Sequence, residues 1–246
     1  MITKESLKQQ ARILGLNLGQ AEKNYFQDIV LFVIYRNYGK NVVFKGGTAL
    51  KKCYGLDRFS EDLDFTCLEK IEVGKIDSEL KKLNMEFDSE TSSYENGIKV
   101  TFRIEGPLYA GIRQSLCKLV TDFSLREKVI LRPEIKTIGR FLEELPEFDV
   151  FVMQEAEILA EKIRALMTRV NARDVYDLWF LLERGVRFDR ELADKKLEYY
   201  GIKWNRKGFE DRMRLRKEIW RTELGPLTKK VPDFNRVRKK VLESIK

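Results

Sequence analysis

The chain has no histidine among its 246 residues, only three cysteines and five prolines, and no wholly apolar run longer than the seven residues 29–35. Without histidine there can be no Ser-His or Cys-His nucleophile, no His-ligated zinc and no imidazole general base. Any catalysis must rest on carboxylates, lysines, backbone groups and metal. Cys53, Cys67 and Cys117 are odd in number and show neither a close pair nor metal-ligand spacing, the pattern of buried thiols in a reducing compartment. Seven apolar residues fall far short of the roughly 20 needed to cross a bilayer. The start Met1-Ile2-Thr3-Lys4-Glu5 also lacks the apolar segment of a secretory signal. The expected location is therefore cytoplasmic, with no membrane partner.

What the chain does have is apolar mass and charge. It is 43% hydrophobic, 11% aromatic and 35% charged, with a net charge of +8, enough for one large domain or two closely packed ones. The charge is uneven: residues 195–246 hold 17 Lys and Arg against 7 Asp and Glu, a net of +10 that leaves −2 for the rest. Tyr199, Tyr200, Trp204 and Trp220 are interleaved with these cations, the mixture of a surface that grips phosphates and stacks on bases. The plain alternative is a set of solvated helices whose aromatics face a core.

Two neighbouring segments carry the chemistry. Phe44-Lys45-Gly46-Gly47-Thr48-Ala49-Leu50 reads as a strand, a glycine turn and a helix start. Arg58-Phe59-Ser60-Glu61-Asp62-Leu63-Asp64-Phe65 reads as a strand with Asp62 and Asp64 on one face and Leu63 and Phe65 on the other. Gly46 and Gly47 let backbone approach an anion, and the N–H groups and dipole of the helix they open favour negative charge. Thr48 adds a hydroxyl there. Two acids on one face suit a divalent cation with oxygen ligands. Singly, the first segment could be a capped strand-to-helix turn and the second a solvated strand edge. Together, with Gly47 fifteen residues before Asp62, they fit phosphoryl or nucleotidyl transfer, where triphosphate charge is neutralised and the reacting oxygens are held in line.

Periodicity gives the surroundings. Helices are expected at 21–38, 48–54, 75–87 and 154–170, and strands at 42–44, 62–66, 98–104 and 116–124, with a turn at Gly106-Pro107 and a strand-and-loop region around Pro133 and Pro146. Beyond 154 the chain reads as almost entirely helical. In the helix from 154, Leu159, Ile163, Leu166 and Val170 form the apolar stripe and Lys162 borders it; unaided, this suggests a stem along a core with its ammonium in water. Arg173-Asp174 and Asp177 open the next helix, where capping accounts for Asp174 and an i,i+4 pair with Arg173 for Asp177.

With the later block Ala160-Glu161-Lys162-Ile163-Arg164-Ala165-Leu166 and Arg173-Asp174-Val175-Tyr176-Asp177-Leu178, the two segments resemble nucleotidyltransferases of the DNA polymerase β superfamily. Within it they are most similar to the abortive-infection toxins of the AbiEii/AbiGii group, over about residues 20–185. The resemblance implies a third carboxylate on a strand beside the first; Asp122 is the candidate and Glu105 the rival. It implies a functional Lys162 in contact with the triphosphate or leaving group, and places Asp174 and Asp177 in a block closing over nucleotide or acceptor. It also implies a two-gene toxin–antitoxin system with a separate antitoxin protein, and an RNA acceptor such as a tRNA 3′ end.

The expected fold is α/β (α+β): a nucleotidyltransferase core at 1–150 with a short mixed sheet flanked by helices, then a helical, basic region at 151–246 that completes the site. The expected activity is Mg²⁺-dependent transfer of NMP from an NTP, with Mn²⁺ as a substitute cation. Asp62, Asp64 and Asp122 hold the metal; Lys45, Gly46, Gly47, Thr48, Arg58 and Ser60 hold the nucleotide; Lys162, Asp174 and Asp177 complete the catalytic set. A phosphotransferase, a protein AMPylator and an inactive RNA- or partner-binding module are the alternatives.

Overall fold

The structure, a computed structural model, describes residues 1–139 and 145–245; Lys246, the end of the basic segment, lies outside them. The chain divides into two compact units. The first comprises 1–49, 61–128 and 134–152, the second 50–60, 129–133 and 153–246.

The first unit begins with α1 (Lys4–Leu14) and α2 (Leu18–Tyr38). Asn17 and Gln20 form a reciprocal capping box that starts α2, satisfying donors that the first helical turn leaves open. Next come β1 (Val42–Lys45), α3 (Gly46–Tyr54), of which only residues 46–49 belong to this unit, β2 (Leu63–Cys67), α4 (Val73–Lys82), β3 (Phe87–Tyr94), β4 (Gly97–Ile104), β5 (Cys117–Ser124), β6 (Glu134–Ile138) and β7 (Phe148–Val152). The seven strands make one mixed sheet in the order β3-β4-β5-β2-β1-β7-β6, with β2–β5 and β1–β7 parallel and the other pairs antiparallel.

Register explains how this sheet is held. Phe44, Phe65 and Phe123 are direct partners on β1, β2 and β5, and their rings stack at centroid separations of 5.4 and 5.3 Å. Each buried aromatic contributes about 1.5–3 kcal/mol of hydrophobic burial, and each ring pair roughly 0.5–1.5 more. Tyr35 of α2 packs against Phe65. Its hydroxyl accepts from Phe44 N–H at 3.1 Å and donates to the Phe151 carbonyl at 2.7 Å, joining β1 to β7 where only one residue pair is in register.

The region after α4 differs from the sequence-based expectation. The helix expected at 75–87 ends at Lys82, because Asn84 takes a left-handed conformation (φ 55°) that asparagine tolerates better than most residues. The polar stretch after it becomes β3, an edge strand exposed along nearly its whole length, which has no apolar alternation to announce it.

The second unit is helical from Met153 on: α5 (Glu155–Thr168), α6 (Ala172–Glu183), α7 (Arg190–Glu198), α8 (Arg206–Arg214), α9 (Trp220–Leu224) and α10 (Phe234–Ser244). Leu159, Ile163 and Leu166 are buried as the periodicity requires, but Val170 is 50% exposed. Helix α5 ends two residues before it. The Asn171 side chain caps α6 by accepting from Arg173 N–H, and the linking residues must extend to reach that cap. Among the described residues, no helix is long and apolar enough to cross a membrane, and all three cysteines are free thiols.

Candidate active site

In the first unit, β1 delivers Lys45 directly to Gly46 and the start of α3. Gly46 has φ 76°, and a Cβ there would lie 2.4 Å from Asp64 Oδ2. A side chain is thus excluded twice, by backbone conformation and by a carboxylate resting on the glycine Cα. Lys45 pairs in register with Asp64, Asp64 with Asp122, and Asp122 with Lys99. Four charged side chains thus form one transverse row on the sheet face opposite the phenylalanine ladder. Asp62, just before β2, is exposed; Asp64 is half-buried.

Three contacts fix this row. The buried Thr48 hydroxyl donates to the Asp62 carbonyl at 2.5 Å, so the first turn of α3 holds the backbone that bears the first acid. In this arrangement the Thr48 O–H is engaged with Asp62, while the backbone N–H groups of that turn have the capacity to receive an anion. Lys45 Nζ meets Glu127 at 2.7 Å with both side chains buried. Tyr94 Oη donates to Asp122 Oδ1 at 2.7 Å, and burial and the neighbouring carboxylate push the phenol's pKa well up, keeping it a donor. Glu105 follows Ile104, whose partner on β5 is Cys117, five residues or about 16 Å of strand from Asp122. The register therefore sets Asp122, not Glu105, beside Asp64.

Among the described residues, no three Asp, Glu or Cys side chains already converge as a metal-holding group. The donor set nevertheless suits Mg²⁺, which takes one or two carboxylates and draws its other ligands from water and substrate phosphates.

The second unit gathers the other singled-out residues differently. Arg58 binds Asp177 through two parallel contacts, Nε–Oδ1 and Nη2–Oδ2, each 2.7 Å. Asp177 also meets Lys162 Nζ at 2.7 Å; Lys162 reaches Asp174 at 3.2 Å, and Asp174 takes two 2.9 Å bonds from Arg169. The result is an alternating chain, Arg58–Asp177–Lys162–Asp174–Arg169, in which both aspartates are fully buried. Burial alone would raise both carboxyl pKa values. Lys162 and Arg169 outweigh it at Asp174, and Arg58 and Lys162 at Asp177, so both lie below the usual range.

Three readings change accordingly. The Lys162 ammonium is shared between two acids rather than lying in water. Asp177 is satisfied by Arg58 and Lys162, not by the local Arg173. Asp174 is a network member, not merely an acid suited to the helix dipole. Ser60 is buried at 8% exposure. Tyr176 of α6 adds a 2.8 Å bond to Asp57, so residues 57 and 58 are both tied to α6.

Glu127, Tyr94 and Arg169 were not found by sequence reasoning. Glu127 sits in Arg126-Glu127-Lys128, which looks like a solvated loop, and its partner is 82 residues away. Of the aromatics among the basic residues, Trp220 is buried and Trp204 packs on Phe188 and Phe209. Trp204 is half-buried there, Tyr200 is half-buried against the Arg164 guanidinium, and Tyr199 is exposed.

The profile of the family described as nucleotidyl transferase AbiEii toxin, type IV TA system, matches residues 30–242. The chain belongs to this family of nucleotidyltransferase toxins. Solved structures agree on the fold. MenT4, a nucleotidyltransferase toxin from Mycobacterium tuberculosis H37Rv, superposes with a TM-score of 0.64 at 21% identity, covering 100% of this chain and 91% of its own. A candidate nucleotidyltransferase from H. pylori gives 0.64 at 20% identity, with 90% and 91% covered. JHP933 from Helicobacter pylori gives 0.57 at 18%, with 93% and 90% covered. Among curated proteins none matches the chain. AbiEii membership makes an NTP the implied substrate, and the turn at Gly46 and the row through Asp64 are the parts of this chain suited to it.

Proposed function

We propose that the chain transfers a nucleoside monophosphate from an NTP to an RNA acceptor and releases pyrophosphate, with a tRNA 3′ end as the first acceptor to test. The observation that carries this reading is the register Lys45–Asp64–Asp122 beside Gly46 and the start of α3. Backbone N–H groups at Gly46, Gly47 and the following turn would receive the phosphates. Asp62 and Asp64, joined by Asp122, would hold Mg²⁺ or Mn²⁺, which when bound neutralises triphosphate charge and aligns the reacting oxygens. Lys45 balances the row from beside Asp64.

Within the second unit, Lys162, Asp174 and Asp177 hold Arg58, four residues before Asp62 in the chain. They serve as positioning residues, with Ser60 on the same connecting segment. Exposed cations on α8–α10 and the turn between α8 and α9, including Lys207, Arg214, Lys217, Arg221, Arg236 and Lys239, support an RNA partner bound through its phosphates. The family's two-gene organisation supports a separate antitoxin protein as the second partner.

The test is incubation with Mg²⁺ and each α-labelled NTP in turn, with total tRNA or total protein. Label should appear on RNA, and Asp62→Asn or Asp64→Asn should abolish it. Transfer of γ-label would make the protein a phosphotransferase, and α-label on protein would make it an AMPylator. No transfer under varied metals and acceptors would leave a binding module.

A further inference from the structure

Tyr94 lies on the edge strand β3, yet its side chain serves a residue two strands away. Its β4 partner is Gly97, which pairs in turn with Ser124 of β5. A Cβ on Gly97 would stand 2.3 Å from the Tyr94 hydroxyl and 2.4 Å from the ring carbon that bears it. The phenol therefore crosses β4 over bare backbone and could not do so past a side chain. At its far end Oη donates to Asp122 Oδ1 at 2.7 Å.

We infer that Tyr94 is a positioning residue for the cation site: it occupies Asp122 Oδ1, fixes the carboxylate's rotation, and leaves Oδ2 as the oxygen for a divalent cation. The inference rests on the reading of Asp122 as a cation ligand beside Asp64. An outer hydrogen bond of this kind locks a flexible carboxylate in its ligating orientation before the ion arrives, and its loss typically costs 10–100-fold in metal affinity. Gly97 is then part of the same device, since only glycine leaves room for the ring. Tyr94 itself is 38% exposed, so losing its hydroxyl removes a directed bond with little change in the core.

The test is titration of the full-length protein with Mn²⁺ alone, following free Mn²⁺ by electron paramagnetic resonance, with melting temperature recorded for each variant. Tyr94→Phe should raise the Mn²⁺ Kd about tenfold with melting almost unchanged. In an Asp122→Asn background, Tyr94→Phe should have no further effect on Mn²⁺ affinity. If Asp64→Asn and Asp122→Asn both weaken Mn²⁺ and Tyr94→Phe does not, the positioning role is overturned and the site reading stands. If Asp64→Asn weakens Mn²⁺ but Asp122→Asn does not, Asp122 is no ligand and the inference falls. If neither aspartate matters, the cation-site reading fails and takes the inference with it.

Discussion

The two units use the same residue types to opposite ends. In the first, two lysines and two acids stand in a row across one sheet face, with Asp64 half-buried and Asp62, just before the strand, exposed. In the second, a lysine and two acids are buried and interleaved with Arg58 and Arg169 until each carboxylate has two cationic partners. Charges buried and matched in this way cannot be withdrawn singly without stranding a partner. Charges on an accessible face can exchange a water or a neighbour for an arriving ligand. The first arrangement is suited to chemistry and the second to holding a shape, although both Asp64 and Asp177 belong to the catalytic set expected from the sequence.

The sharpest way to break this contrast is Asp64→Asn, which keeps the side-chain volume against Gly46 and removes one charge. NMP transfer should fall at least 10³-fold, equivalent to about 4 kcal/mol of lost transition-state stabilisation. Stability should change by less than about 1 kcal/mol, since Asp64 is only half-buried and Lys45 beside it keeps Glu127. Kinetics and urea unfolding on one preparation measure both. An unfolded variant, or one that keeps its activity, would erase the distinction.

Asp177→Ala should show the reverse pattern. It leaves Arg58, 2% exposed, without its two-pronged partner, and breaking such a buried pair costs about 3–5 kcal/mol. Lower unfolding midpoints should accompany any loss of activity. Lys162→Met should be milder, because Asp174 keeps Arg169 and Asp177 keeps Arg58. A Lys162→Met protein with full stability and no activity would instead move this lysine into direct contact with the nucleotide.

The network also has a pH signature. The Asp174 and Asp177 pKa values are depressed in the folded protein. Their contribution is therefore complete above the unfolded carboxylate value, about 3.9, and is lost as pH falls through the lower folded values. Asp174→Asn removes one of these titrations. The difference in melting temperature between parent and variant should be widest at neutral pH and close progressively below about pH 4. A gap that stayed constant down to pH 2 would mean that Asp174 contributes through packing alone.

How much of this could be seen beforehand follows the range of the forces. The glycine turn, the acid strand and the helices after Gln154 are written in local spacing, and all were legible. The family resemblance rested on the same local motifs. The strand β3 was not legible, because Asp88-Ser89-Glu90-Thr91 on a two-sided polar edge has no burial to impose alternation. The partners of charge were least legible: Glu127 with Lys45, and Arg58 with Asp177 across 119 residues. Ion pairs of this kind are chosen by tertiary packing, and nothing in the neighbouring residues marks them.

Thr48 gives the finest test, because it can be assigned to either role. Its hydroxyl is buried and donates to the Asp62 carbonyl, although its place after two glycines suggests a phosphate contact. Thr48→Val keeps the shape and removes one hydrogen bond, which should cost about 1 kcal/mol of stability. If the hydroxyl serves to place Asp62, transfer should fall modestly, by about tenfold, and the Mg²⁺ concentration for half-maximal rate should rise while the KM for NTP changes little. Thr48→Ser, which restores the O–H, should recover most of both losses. A direct phosphate contact predicts the opposite split, with a raised KM for NTP and an unchanged Mg²⁺ requirement. That outcome would mean the hydroxyl leaves Asp62 when nucleotide binds, and that the first turn of α3 is a moving part of the site rather than a fixed brace.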